Sequence, residues 1–230
     1  MNDNMINAHE AFKDRKYRRA LGLYELEISV NPQNLDAYFG AGRSLFMLQR
    51  PSDAIDMAEK MISLDSSNVL AHIIKAEAYQ RMKETKKSEA EIELAYSIEP
   101  TNPIVLLSYG YLLIHKHKWD DAIICLEKAI EQDPAMLYAY LNLGFVYQRK
   151  GNKEKTLYCA KKIFELRPTL KNRIRLIYAQ LNRRGLLRPI ILLVFIALLV
   201  SALLHEFVLL SVAVLFLLFI IYFRIIFQTP

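Results

Sequence analysis

The sequence predicts an all-α chain: a solenoid of about five helical hairpins, a short capping helix and an apolar tail. Three observations carry this. Pro32, Pro100, Pro134 and Pro168 lie on one 34-residue grid, with Ser66 in the remaining slot. Between these marks, apolar residues recur at helical spacing. From Pro189 to Phe223 the only strongly polar side chains are His205 and Glu206, a composition suited to lipid.

Three further columns keep the same period. Ala8, Gly42, Ala76, Gly110 and Gly144 form a small-residue column, and Ala20, Ala54, Ser88, Ala122 and Thr156 form another. Leu45, Tyr79, Leu113 and Tyr147 mark an apolar or aromatic one. Each unit then reads as two helices of about 14 residues. In the fourth unit these are "PIVLLSYGYLLIHK" and "WDDAIICLEKAIEQD". A small residue in each helix lets the pair approach closely, and proline after the second helix stops it. One hairpin cannot bury its apolar face alone, so stacked neighbours must supply the core.

Residues 1–170 resemble the tetratricopeptide repeat family, whose signature has this period and these small, aromatic and proline slots. The likeness is strongest in "LLSYGYLL…WDDAIICLEKAIEQDP". It weakens in the second repeat, where Pro51 opens the second helix and Ser66 replaces proline. It weakens again in the fifth, where Thr156 and Ala160 stand in slots of other character. The resemblance implies a right-handed α-solenoid that recognises a peptide or another protein.

After the repeats, Leu170, Ile174, Ile177, Tyr178 and Leu181 fall on one helical face. Residues 171–185 are therefore expected as an amphipathic helix laying that face on the last repeat, with Gly185 as its stop. Its other side carries arginines that suit either lipid headgroups or plain solvent. The apolar segment from 189 to 223 would be roughly 52 Å long as one helix, against a hydrocarbon core of about 30 Å. Cut at His205–Glu206, residues 186–227 instead give two transmembrane helices. Arg183, Arg184 and Arg188 flank one end and Arg224 the other. The positive-inside rule then places both ends in the cytoplasm. "LLHEFV" has no Gly, Pro or Asn for a tight turn, so the other reading keeps His205 and Glu206 inside the membrane, facing a partner.

Charge supports this division. Residues 1–170 hold 23 basic and 23 acidic side chains, whereas residues 171–230 hold seven basic and one acidic. The excess sits beside the apolar segment, which points to anionic lipid rather than nucleic acid. The N-terminal stretch "MNDNMINAHEAFKDRKYRRA" has no apolar signal region, so the solenoid is expected in the cytoplasm, at a bacterial inner membrane by preference, with reduced thiols. No phosphate loop, dinucleotide fingerprint, zinc-protease or serine-hydrolase motif is present, and neither an enzyme nor a cofactor is expected. His115 and His117 are two apart without further ligands nearby, so no metal is expected. Cys125 and Cys159 occupy one slot in neighbouring repeats and read as buried, unpaired thiols.

A second apolar stripe runs beside the small-residue column. It includes Phe39, Ile73, Leu107 and Leu141, extended by Tyr138, by Tyr111 and Phe145, and by Ile114. In the family these positions line the concave groove, and a helix apolar beyond its core arc has a second surface to bury. The expected ligand is a protein or peptide with an apolar or amphipathic segment. The basic clamp that some family members use for chaperone tails is absent: its slots hold Met5, His9, Gly40, Leu70 and Ile74. The sequence thus predicts a membrane-anchored scaffold, acting in assembly or as an accessory subunit of a membrane complex. The alternative makes the hairpin part of a transport or proton path, with the repeats regulatory.

Overall fold

A computed structural model describes residues 3–186, 189, 191–197 and 218. Eleven α-helices are delimited within residues 3–186, and the chain divides into two compact units, residues 1–132 and 133–230. The first unit contains four hairpins: α1 (Asp3–Lys13) with α2 (Tyr17–Val30), α3 (Leu35–Met47) with α4 (Pro51–Leu64), α5 (Val69–Arg81) with α6 (Thr85–Ile98), and α7 (Pro103–His115) with α8 (Trp119–Gln132). The second contains α9 (Leu137–Arg149), α10 (Lys153–Leu166) and α11 (Leu170–Arg183). The fourth hairpin matches its sequence boundaries to within one residue.

Local chemistry sets these ends. Asn34, Asn68 and Asn102 sit 34 residues apart, and each side chain accepts a backbone N–H from the first turn of α3, α5 or α7. Within every hairpin the turn is one repeated left-handed cap. Arg15, Gln49, Lys83, His117 and Gly151 have φ between 56° and 72°. The next residue's N–H bonds back to a carbonyl five residues earlier, as in Arg50 N to Leu45 O at 3.0 Å and Lys118 N to Leu113 O at 2.9 Å. Only one of these five slots holds glycine, so the helix pairs impose this backbone on ordinary side chains as well. Where Ser66 replaces proline, Asp65 organises the turn. Its Oδ1 accepts from Ser67 N–H at 3.0 Å and Ser67 Oγ–H at 2.8 Å, bonds that hold the Asp65 carboxyl below its ordinary range.

Small residues let the helices of the first unit close on one another. A Cβ at Gly110 would stand 2.8 Å from Leu126 Cγ, between α7 and α8. Tyr24, Leu45, Met61, Ile74 and Leu106 are wholly buried around such approaches. One polar cluster lies in the wall between α5 and α6. His72 Nδ1–H donates to Glu91 Oε2 at 2.7 Å, and Lys75 Nζ donates to Glu91 Oε1 at 2.9 Å. Cys125 and Cys159 are buried and form no disulfide, and burial pushes the Cys125 thiol up.

In the second unit α11 corrects the expected face. It packs on α10 through Leu176 and Ala179 against Leu157 and Ala160. Asn172 is also buried, and its Nδ2 donates to the Arg167 carbonyl at 2.8 Å. The stripe assigned to the repeat points away instead: Leu170 is 75% exposed, Ile174 39% and Ile177 46%. Ala179 explains the choice, because a methyl group allows a closer approach to α10 than an isoleucine edge.

Among the described residues no helix is long and apolar enough to cross a membrane. The hairpin expected over 186–227 falls mostly outside the described residues, and His205, Glu206, Arg188 and Arg224 lie there.

Candidate functional site

In the first unit, α1, α3, α5 and α7 pack successively side by side. The expected stripe lies on these helices, and the structure divides its members. Phe39, Leu107 and Tyr111 are half-buried and present part of their surface to solvent. Ile73 and Ile114, at 4% and 8% exposure, are core. Ile73 is drawn into a cluster with Val69, Ala95 and Val105, so it has no free surface for a ligand. Ile114 is likewise sealed on the last turn of α7.

The open surface is more polar than the stripe suggested. The Arg43 guanidinium lies 5.2 Å from the Phe12 ring centre and 5.7 Å from that of Phe39. Arg81 sits 4.3 Å over Phe46 and donates to Gln49 Oε1 at 2.7 Å. Glu77 is open to solvent, yet enclosure by protein atoms pushes its carboxyl up, against the pull of Arg43 and Arg81. Further along, Gln80 Nε2 donates to the Tyr111 hydroxyl at 3.0 Å, and Tyr111 meets the His115 ring edge-on at 4.5 Å. The surface is therefore a row of aromatic rings with guanidinium groups laid over three of them. Each such pair contributes about 0.5–1 kcal/mol at an exposed site, and the charge fixes where the ring stays open.

Sequence reasoning missed Arg43, Glu77 and Arg81. A signal existed: on the 34-residue grid Arg43 and Glu77 hold the slot that is Tyr111 and Phe145 in later repeats. Reading that column as apolar from its last two members concealed the charged half.

In the second unit α9 carries the other expected positions. Tyr138 is 61% exposed, Leu141 and Phe145 are half-buried, and Arg149 lies 5.2 Å from the Phe145 ring centre. The aromatic–arginine pairing thus recurs there. Of the expected interface arginines, Arg183 and Arg184 are exposed at the end of α11. Arg183 is tethered to Glu154 on α10 at 3.4 Å. Among the described residues no cluster of His, Cys, Asp and Glu is placed to hold a metal ion.

Comparison with known proteins agrees with this architecture. Two family models, described as "Tetratricopeptide repeat" and "TPR repeat", match residues 7–69 and 110–151. Anaphase-promoting complex subunit 3 of Schizosaccharomyces pombe is 24% identical over 149 residues, covering 64% of this chain and 22% of that protein. The curated relatives are much longer than their match, and the chain spans between 10% and 27% of their length. A thermophilic TPR protein of Thermus thermophilus superposes with a TM-score of 0.67 at 19% identity, covering 78% of this chain and 98% of that one. PilW, a type IV pilus biogenesis factor, gives 0.60 at 17% identity, covering 82% and 91%. The chain has the tetratricopeptide-repeat fold, and repeat-family models match its sequence over 7–69 and 110–151.

Proposed function

We propose that this protein is a bilayer-anchored scaffold whose first-helix faces capture a segment of another protein. The observation that carries the reading is the row of half-open rings Phe12, Phe39, Phe46 and Tyr111 with Arg43 and Arg81 over it. A surface of this kind gains on burial by removing ring area from water, at about 25 cal/mol per Å². Its guanidinium groups are ready to meet a carboxylate or a backbone carbonyl. The ligand it fits is an amphipathic segment with apolar side chains and at least one acidic group. The reading includes no catalytic step and no cofactor.

The anchor rests on sequence. Residues 189–223 carry two strongly polar side chains, and the excess of basic residues lies beside them. Anchoring would confine scaffold and partner to one surface and raise their effective concentration. In this reading the repeats are cytoplasmic, and a bacterial inner membrane is the favoured location. The fission-yeast relative is by name a subunit of a complex and PilW a biogenesis factor. An assembly or accessory role is proposed here on that analogy. The test is purification of the full chain from its own membranes in mild detergent, wild type beside Phe39→Asp/Tyr111→Asp. The reading expects a co-purifying protein that the variant loses. An unchanged set of co-purifying proteins would refute it.

A further inference from the structure

The outer face of α11 has no counterpart in the other hairpins. Gly185 has φ of 72°, and Leu186 N bonds to Leu181 O at 3.0 Å. These repeat the cap of Gly151 and the bond from Asn152 N to Tyr147 O, 34 residues earlier. So α11 is built and ended like the first helix of a hairpin. In α9, Tyr140, Leu143 and Tyr147 are buried, and the helix packs on α10. The matching residues of α11 are Ile174, Ile177 and Leu181. They are still apolar, but Ile174 and Ile177 are exposed and Leu181 only half-buried.

A second helix of the repeat type does not fit against them. The close-approach slot of α9 is Gly144, where a Cβ would already stand 3.3 Å from Cys159 Cβ on α10. In α11 that slot is Tyr178, whose ring holds any such helix away. A second copy of the chain is disfavoured by charge. Lys171, Arg173 and Arg184 flank the stripe, and no acidic residue occurs between Glu165 and Glu206. Two such faces would oppose like charges. The same pattern suits an anionic bilayer, where apolar side chains enter the acyl boundary and basic ones reach the headgroups.

We propose that the outer face of α11, Leu170, Ile174, Ile177 and Leu181 between Lys171, Arg173 and Arg184, lies in the plane of an anionic membrane surface. This rests on the anchored-scaffold reading and adds a second contact. The tail holds the chain, and α11 fixes how the second unit is seated on the bilayer.

The test uses the full chain with Cys125→Ala and Cys159→Ala, carrying one nitroxide at a time. The label is placed at Ile177→Cys, at Leu193→Cys in the tail or at Glu131→Cys on α8. The protein is reconstituted in phosphatidylcholine vesicles with and without phosphatidylglycerol. Collisions with oxygen, which concentrates in lipid, are compared with collisions with a water-soluble nickel chelate. With phosphatidylglycerol present, oxygen should dominate at Ile177→Cys as at Leu193→Cys, and nickel at Glu131→Cys. Adding Lys171→Glu, Arg173→Glu and Arg184→Glu should invert the ratio at Ile177→Cys and leave Leu193→Cys unchanged. Nickel dominating at Ile177→Cys with oxygen dominating at Leu193→Cys overturns the α11 proposal and leaves the anchor standing. Nickel dominating at both overturns the anchor as well. Exclusion of both reagents from Ile177→Cys means that the tail covers α11, and dipolar broadening there means that a second copy does. Either result overturns the proposal.

Discussion

The ring of Tyr24 on α2 lies directly against Gly40 on α3: a Cβ at Gly40 would stand 2.3 Å from Tyr24 Cζ. Tyr24 is almost fully buried and cannot swing aside, so the first two hairpins meet through the absence of a side chain. Gly40→Ala should therefore destabilise the chain by about 1–3 kcal/mol, the usual cost of overpacking a core. Urea unfolding followed by circular dichroism checks it. Gly40→Ala/Tyr24→Leu should recover part of the loss, because the obstructing ring is then gone.

The left-handed caps give a paired prediction of opposite sign. Gly151→Ala places a side chain at φ 72° with open space around it, and should cost about 1 kcal/mol from backbone strain alone. Lys83→Gly removes the same strain at φ 63° and should be neutral or stabilising by up to about 1 kcal/mol, less than the full strain because glycine is freer in the unfolded chain. Thermal melting of both variants under one condition reads the difference.

Glu91 holds both His72 and Lys75 where little water reaches. Glu91→Gln should destabilise by about 1–3 kcal/mol, the cost of leaving charge-assisted donors poorly satisfied. For the Lys75 ammonium, burial acts downward, but the bond and charge of Glu91, with Tyr79 and Glu59, outweigh it and raise its pKa. A raised lysine pKa contributes stability below the unfolded value, about 10.4, and loses it as pH rises through the folded value. The gap between wild type and Glu91→Gln should thus be constant at neutral pH and narrow above pH about 10. Denaturant midpoints measured across that range decide it.

Much of the solenoid was legible because its constraints are periodic. Proline, small residues and the aromatic slots recur every 34 residues, and helix packing leaves few other uses for that pattern. Legibility fell where one surface had two candidate occupants. Ile73 and Phe39 share a slot, yet only Ile73 finds Val69, Ala95 and Val105 around it. The number of neighbours at a slot is a tertiary property that a single column does not record. The face of α11 was misassigned for a related reason: the larger apolar arc is not the buried one, and Leu176 and Ala179 on the smaller arc meet Leu157 and Ala160 of α10 instead. Arg43 and Glu77 were overlooked because their slot is aromatic in later repeats.

Binding of a protein by the ring-and-guanidinium face of the first unit is the part of the proposed function on which the rest depends. The most direct measurement places a benzophenone amino acid at Tyr111 or at Ile124 in the full chain inside its own cells, followed by irradiation and mass spectrometry. Tyr111 lies on that face, and Ile124 is exposed on α8. One defined protein adduct is expected from Tyr111 and none from Ile124. Arg81→Ala, which bares the Phe46 ring without touching the core, should weaken that adduct severalfold while the melting temperature stays within a few degrees. Equal adducts from both positions, or none from Tyr111 in a chain of unchanged melting temperature, would contradict such binding.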